Sequence, residues 1–307
     1  QYQKPLCYEG WLDIKGSPTS PEASKGSKRI RITRIHLEED AGRLYHPPVG
    51  GVGESYSLVD FNRAGVPLME LVTEPDFENG QQVKDFASEL QLIWQYLGVS
   101  DANMEKGQMR IEVNISLTNS DGSWGTKVEV KNINSVKFAT DAVDYEIKRQ
   151  TELLEAGDEV KQETRGWDEF KKQTFSQRSK EEAHDYRYFP EPDLPPLHFD
   201  KNNVEEIRVT LPELPQARRE RFKKQYNLPD RDIEVFTVNK FLGDYLEHVA
   251  SELLLFDKLD HLKKPEAEHQ DKLFKLASNY LITELKRMCD DISAEPASLP
   301  GTACLHF

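Results

Sequence analysis

Apolar residues along the chain change their spacing several times, and each change marks an element. Alternation over Tyr8–Ile14 and Arg29–Leu37 predicts two strands, separated by a Ser, Pro, Gly and Lys-rich loop from Lys15 to Lys28. Short apolar runs at Tyr56–Phe61 and Leu68–Val72 predict two more strands, after a Pro/Gly loop from His46 to Glu54. Val83, Phe86, Ala87, Leu90, Ile93, Trp94 and Leu97 then recur at helical spacing, and Gly98 ends that helix. Met109–Leu117 and Trp124–Val130 alternate on either side of Asn119-Ser120-Asp121-Gly122, an antiparallel hairpin pattern. A second helix is predicted from Ser135, as N-cap, to about Ala156. Its stripe is Val136, Ala139, Val143 and Ile147, with Gly157 as C-cap. Beyond Asp200 the pattern becomes wholly helical, with stripes Phe241, Leu242, Tyr245, Leu246, Val249, Leu253 and Leu273, Leu276, Ala277, Tyr280, Leu281, Leu285, Met288. Strands with helices followed by helices alone predict an α+β domain and then an all-helical one.

Composition narrows this picture. The 307 residues are long enough for two domains with sizeable cores, and 37% are hydrophobic. No apolar run approaches the roughly 20 residues a membrane span needs. A net charge of −14 argues against non-specific nucleic-acid binding by the whole surface, although a local basic patch remains open. Cys7, Cys289 and Cys304 stand far apart with no Cys-x-x-Cys pair. That pattern implies neither a zinc knuckle nor a disulfide framework, and it fits a reducing compartment. Gln1 is neither an initiator Met nor part of a signal segment, so the expectation is a processed or incomplete chain.

Candidate chemistry concentrates between Arg29 and Asp76. Glu38, Glu39 and Asp40 close one strand, and Glu70 sits within the apolar run Leu68–Val72. Carboxylate oxygens at a strand end suit a hard cation such as magnesium, which also holds phosphate oxygens. Regular alternation would put Arg34, His36 and Glu38 on one face and Glu39 on the other, and a bulge would change that. Spacing alone does not choose between the two glutamates, and Glu70 can equally point to solvent. In the predicted hairpin, Arg110, Glu112 and Asn114 share one face, and Lys127, Glu129 and Lys131 share another, as a cleft floor or a solvated surface. His184–Phe189 precedes four prolines within 190–196 that pin an extended path, with Arg187 as a candidate phosphate or substrate contact. Arg218, Arg219 and Arg221 lie in a basic helix that is either a solvated face or a phosphate contact.

Six motifs follow one another in register: HLEEDAG (36–42), SLVDFNRAGVPLMELVTEPD (57–76), GVSDANMEKGQMR (98–110), VEVKNINS (128–135), QETRGWD (162–168) and HDYRYFPEPDLPPL (184–197). Together they resemble the B subunit of the tRNA-dependent amidotransferases that make Gln-tRNA or Asn-tRNA from misacylated precursors. The resemblance runs from about Gln1 to Arg287. It implies a cradle-like domain related to the glutamine synthetase catalytic fold over 1–200 and a helical domain over 201–289. A divergent tail would occupy 290–307, where the family has a further small domain. It implies magnesium and ATP as cofactors, with Glu39 and Glu70 as metal-binding catalytic residues. Glu38, Arg110, Lys131 and Arg187 are then weaker candidates for ATP or substrate, and Arg218, Arg219 and Arg221 for tRNA. It also implies an amidase (glutaminase) subunit that supplies ammonia, a small third subunit and misacylated tRNA as partners. The expected compartment is the mitochondrial matrix in a eukaryote or the cytoplasm in a bacterium. The family's opening strand, reading like GLEIHVQL, has no counterpart here, which leaves a non-catalytic scaffold of the same complex as the alternative.

Overall fold

The structure is a computed structural model that describes residues 5–15, 26–46, 56–119, 121–179, 198–260 and 267–291. The expected contacts of His184–Pro196, Arg187 included, and the loop over 47–54 lie outside these residues. The described residues fall into two compact units, within Gln1–Glu89 plus Asn103–Leu197 and within Leu90–Ala102 plus His198–Phe307.

In the first unit, β1 (Cys7–Lys15), β2 (Ser27–Glu39) and β5 (Pro67–Thr73) form an antiparallel sheet in the order β1-β2-β5, and β3 (Arg43–Tyr45) pairs with β4 (Leu58–Asp60). Ile14 and Ile30 are buried and form paired positions with Lys28 and Leu12 across β1 and β2. An extra residue, Thr33, sits in β2 where the register with β5 shifts between Ile32 and Arg34. That bulge is anchored from the segment just after β5. Thr33 Oγ1 donates to Glu74 at 2.7 Å, and Arg31 makes a bidentate pair with Asp76 at 2.6 and 3.0 Å.

The second sheet has the order β6 (Ile111–Ile115), β7 (Val128–Ile133), β8 (Glu163–Asp168), β9 (Gln173–Ser179). β6 and β7 form the expected antiparallel hairpin, continued by a bridge between Thr118 and Trp124. β7 and β8 are parallel, so the chain must cross over between them, and it does so through α2 (Val136–Glu155). Ser135 caps α2 by accepting from the Phe138 amide, and Gly157 follows it at φ +80°. Val113, Ile115, Val130, Ile133, Ala139, Ala142, Val143 and Trp167 make the core under α2. Lower on α2 the buried stripe is polar: Glu146 and Gln150 are buried where the apolar spacing pointed to Ile147.

Helix α1 (Gly80–Leu97) changes face along its length. Val83, Phe86, Ala87 and Leu90 are buried as the stripe predicts, but Leu92 and Tyr96 then replace Ile93, Trp94 and Leu97 as the buried positions. The change falls where the helix passes into the second unit, in which Tyr96 is buried and its hydroxyl donates to the Thr237 carbonyl at 2.7 Å. Gly98 ends the helix at φ +67°, a conformation for which glycine carries no Cβ penalty.

Among the described residues the rest of the second unit is helical: α3 (Lys201–Thr210), α4 (Pro215–Tyr226), α5 (Asp230–Val238), α6 (Lys240–Asp260), α7 (Ala267–Tyr280), a π-helical turn Leu281–Leu285 and α8 (Lys286–Asp291). Its core joins Phe222, Tyr226, Ile233, Phe236, Leu242, Leu246, Phe274 and Leu281. Along α6 the observed stripe is Leu242, Leu246 and Ala250, and Phe241 is exposed. Along α7 it is Phe274, Ser278 and Leu281, whereas Leu276 and Tyr280 face solvent. Both helices carry apolar residues on more than one face, so spacing left the inward face undetermined. Gly243 lets α6 approach α5 closely: a Cβ there would run into the Phe236 carbonyl oxygen. Among the described residues the strands end at β9 and only helices follow, and the architecture is α+β. No helix among the described residues is long and apolar enough to cross a membrane.

Candidate functional site

The carboxylates singled out in the sequence meet where β2 ends beside the start of β5. Antiparallel pairing sets Arg34 opposite Val72, His36 opposite Glu70, Glu38 opposite Leu68 and Glu39 opposite Pro67. Directly paired residues share a face, so Glu70 lies with Arg34, His36 and Glu38. Glu39 lies on the other face with Leu37 and Met69 and is exposed. The bulge at Thr33 is upstream of these positions and leaves the alternation from Arg34 to Glu39 regular. His36 is buried, and its Nε2 accepts from Arg34 Nε at 2.8 Å. Accepting at Nε2 puts the ring proton on Nδ1.

Asp40, the third carboxylate of the cluster, is engaged within the protein. Its Oδ2 accepts from Arg63 Nε at 2.8 Å, its amide donates to the Val66 carbonyl at 2.8 Å, and its carbonyl accepts from the Gly65 amide at 2.9 Å. The turn Asn62–Gly65 is therefore fastened to the end of β2. Asp60 supports it by accepting from the Asn62 amide at 2.9 Å. Further along β2, hydrogen bonding from Arg31 holds the Asp76 carboxyl below the usual carboxylate range, against an opposing contribution from burial. Glu38, Glu39 and Glu70 accept no side-chain hydrogen bond among the described residues, unlike Asp40 and Asp76.

On the second sheet, Lys131 lies 3.4 Å from Glu112 and 3.6 Å from Glu129. Burial works against the Lys131 charge, but the two carboxylates outweigh it and raise its pKa. Thr164 donates to Glu129 at 3.0 Å. Asn132, next to Lys131, has φ +61° and is the extra residue of a bulge in β7, since Val130 pairs with Val113 and Ile133 with Ile111. Bulges of this kind re-aim side chains at strand ends. Arg110 is exposed just ahead of β6.

The structure therefore brings Glu38 to Glu70, and Lys131 to Glu112 and Glu129, while Glu39 stays across the sheet from Glu70. The three arginines of α4 belong to the second unit and are paired inside it. Arg218 is buried, with Nη2 at 2.7 Å from both Asp244 and Glu247. Arg219 pairs with Glu234 at 2.9 Å, and Arg221 with Glu213 at 2.7 Å and with Glu247. A phosphate contact by these groups would compete with carboxylates already in place.

Two features were missed in the sequence. One is Arg63, which belongs to the quoted motif of 57–76 but carries no periodic signal. The other is the buried network behind β8. Glu146 on α2 accepts from Arg149 at 2.7 and 2.9 Å and from Gln150 at 3.1 Å, and its carboxylate is 3.2 Å from Arg165 of β8. Arg165 also bonds the Thr174 carbonyl of β9 at 2.9 Å, tying two strands to the helix.

As a cation site the donor set is chemically suitable but incomplete. Hard oxygen donors are present, and magnesium is commonly held by one or two carboxylates together with substrate phosphates. Among the described residues no group of three or more His, Cys, Asp and Glu side chains could hold a metal.

Comparison with known proteins bears on what these groups serve. Residues 1–205 match the family model described as the GatB/GatE catalytic domain. The chain is similar to the B subunit of an aspartyl/glutamyl-tRNA(Asn/Gln) amidotransferase from Caldicellulosiruptor saccharolyticus, 45% identical over 300 residues, covering 97% of this chain and 56% of that protein. A protein of the same name from Carboxydothermus hydrogenoformans is 44% identical over 302 residues, covering 98% and 57%. Another from Persephonella marina is 48% identical over 252 residues, covering 82% and 50%. The chain thus spans a little over half the length of these relatives or less.

Proposed function

Because this chain belongs to the family of the GatB/GatE catalytic domain, we propose that it is the amidating part of the B subunit of an aspartyl/glutamyl-tRNA(Asn/Gln) amidotransferase. The observation that carries this reading is the identity of 45% across 97% of the chain. The proposed reaction has two steps on one substrate. The side-chain carboxylate of Glu on tRNA(Gln), or Asp on tRNA(Asn), attacks the γ-phosphorus of ATP, and ADP leaves. Ammonia then attacks the acyl carbon, phosphate leaves, and the amide remains on the tRNA. Ammonia comes from a partner amidase, with a small third subunit completing the complex, in a bacterial cytoplasm or a mitochondrial matrix. The first unit takes the role of the cradle related to glutamine synthetase, and the second that of the helical domain.

Phosphoryl transfer needs neutralised phosphate oxygens and a positioned nucleophile. Glu70 would hold magnesium either with Glu39, which would have to reach round the end of β2 from the opposite face, or with Glu38 on its own face, and the ion would supply charge neutralisation on ATP. Arg34 and His36 flank Glu70 on its face and hold their ring and guanidinium in one arrangement. Lys131, kept charged by Glu112 and Glu129, offers a cation to phosphate oxygens, as do Arg110 and Arg187. A scaffold role without chemistry is favoured by one observation, the placement of Glu39 and Glu70 on opposite faces. The deciding experiment is phosphate release by the assembled complex with Glu-tRNA and Asp-tRNA compared. Release that depends on misacylated tRNA supports catalysis, and none with either leaves the scaffold reading.

A further inference from the structure

We infer that Arg63 is the positioning residue of the carboxylate-bearing strand end, holding it to the entrance of the second sheet through Asp40 and Gly107. This inference rests on the amidotransferase reading for its catalytic consequence, but not for its geometry. The hydrogen bonds of the Arg63 side chain among the described residues go to Asp40 and Gly107, not to Glu38, Glu39 or Glu70. Its Nε donates to Asp40 at 2.8 Å and its Nη1 donates to the Gly107 carbonyl at 3.1 Å. Asp40 directly follows Glu38-Glu39, and its backbone bonds to Gly65 and Val66 fix the turn from which β5 departs toward Glu70. One guanidinium therefore acts on both strands that carry the carboxylates.

The second anchor is built to receive it. Gly107 stands at φ +68°, and a Cβ there would lie 2.8 Å from Arg63 Nη1, so a side chain would displace the guanidinium. The Gly107 turn is itself closed by the Gly107 amide on the Met104 carbonyl at 3.0 Å and the Gln108 amide on the Asn103 carbonyl at 2.9 Å. Four residues after Gly107, Ile111 opens β6, followed by Glu112, the partner of Lys131. Arg63 thus joins the carboxylate end of the first sheet to the start of the strand that supports Lys131. A planar fork presents two donors at a fixed separation to the two anchors, whereas a lysine offers its donors from a single atom on a flexible stem.

The Arg63 side chain is 44% exposed, and half-exposed ion pairs contribute little to stability. Misplacing reacting groups by an ångström can cost about 100-fold in rate. Positioning and plain stability therefore predict different things.

The test uses the full-length protein in its assembled complex, with Arg63→Ala, Arg63→Lys, Gly107→Ala and the double variant. Hydrogen exchange should show the amides of Asp40, Gly65 and Val66 and those of Gly107 and Gln108 losing protection together in Arg63→Ala, with Tm within about 2 °C of the parent. The kcat for tRNA-dependent phosphate release should fall about 30- to 100-fold with KM for ATP within about twofold, and Arg63→Lys should recover part of it. Gly107→Ala should lower kcat similarly, and adding it to Arg63→Ala should cost little more, because both act through one contact. Unchanged exchange at either segment overturns the inference whether or not the complex is active. Joint loosening with parental kcat overturns the positioning role. An inactive parent complex removes the amidotransferase reading and leaves the exchange result to decide the clamp.

Discussion

Replacing Glu146 with Gln tests the reading of the network behind β8. The parent carboxylate is buried with no exposed surface and takes two hydrogen bonds from Arg149, one from Gln150 and one from Thr174, with Arg165 Nε at 3.2 Å. Gln keeps the shape, removes the charge, and turns an NH2 donor toward guanidinium donors. Removing one partner of a buried pair costs about 3–5 kcal/mol. The lower end applies here, because Arg165 keeps Glu163 and both arginines retain some solvent access. About 3 kcal/mol corresponds to a fall in Tm of roughly 6–12 °C for a unit of this size, read by calorimetry or by a urea midpoint. The pH dependence carries a sign. Burial pushes the Glu146 carboxyl up, but hydrogen bonds from Arg149, Thr174 and Gln150 outweigh it and hold the pKa below the ordinary value. A depressed carboxylate contributes its stability above the unfolded pKa of about 4.3 and loses it as pH falls through the folded one. The gap between parent and variant should therefore be full at pH 7 and close below about pH 4. A loss under about 1 kcal/mol, or a gap constant from pH 7 to pH 3, would refute the account.

Glu39→Gln and Glu70→Gln should each lower tRNA-dependent phosphate release by at least about 100-fold while glutamine hydrolysis by the partner persists, and Glu38→Gln should be milder. The opposite ranking of Glu38 and Glu39 would assign the cation to the face that Glu38 shares with Glu70. Gly243→Ala should destabilise the helical unit by about 1–3 kcal/mol, since its Cβ would meet the Phe236 carbonyl; an unchanged melting curve sinks that packing argument. Arg218→Ala should cost about 3 kcal/mol of stability in the same unit, because Asp244 and Glu247 lose a shared cation. Its tRNA affinity should keep the parental salt slope, and a slope reduced by about one would reinstate a phosphate contact.

Local signals in the chain identified what local forces determine. Ser135 and Gly98 mark helix ends because a cap is satisfied by neighbouring backbone. The Asn119–Gly122 turn was legible because alternation on both sides selects one register. Tertiary partners decided the rest. Tyr96 turns inward because Thr237 and Arg218, more than a hundred residues away, accept and donate at its hydroxyl. Glu146 continues an apolar stripe because Arg149 and Arg165 make its burial tolerable. The candidate carboxylates were visible as residue types, but their distribution over two faces depends on pairing with β5, which the sequence of β2 alone cannot fix. Arg63 and Gly107, 44 residues apart, gave no periodic signal to connect them.

The regular alternation that follows the bulge at Thr33 makes one stretch of this chain intolerant of a particular genetic event. A strand repeats every two residues, so the gain or loss of a single codon between Arg34 and Glu39 would exchange the faces of the residues on one side of the change. Losing one residue after His36 would bring Glu39 to the position opposite Leu68 and remove Glu38 from the side of Glu70. A point substitution there alters one group, whereas an insertion or deletion rearranges the whole carboxylate end at once. Drift in this segment is therefore expected to proceed by replacement, with its length inherited unchanged.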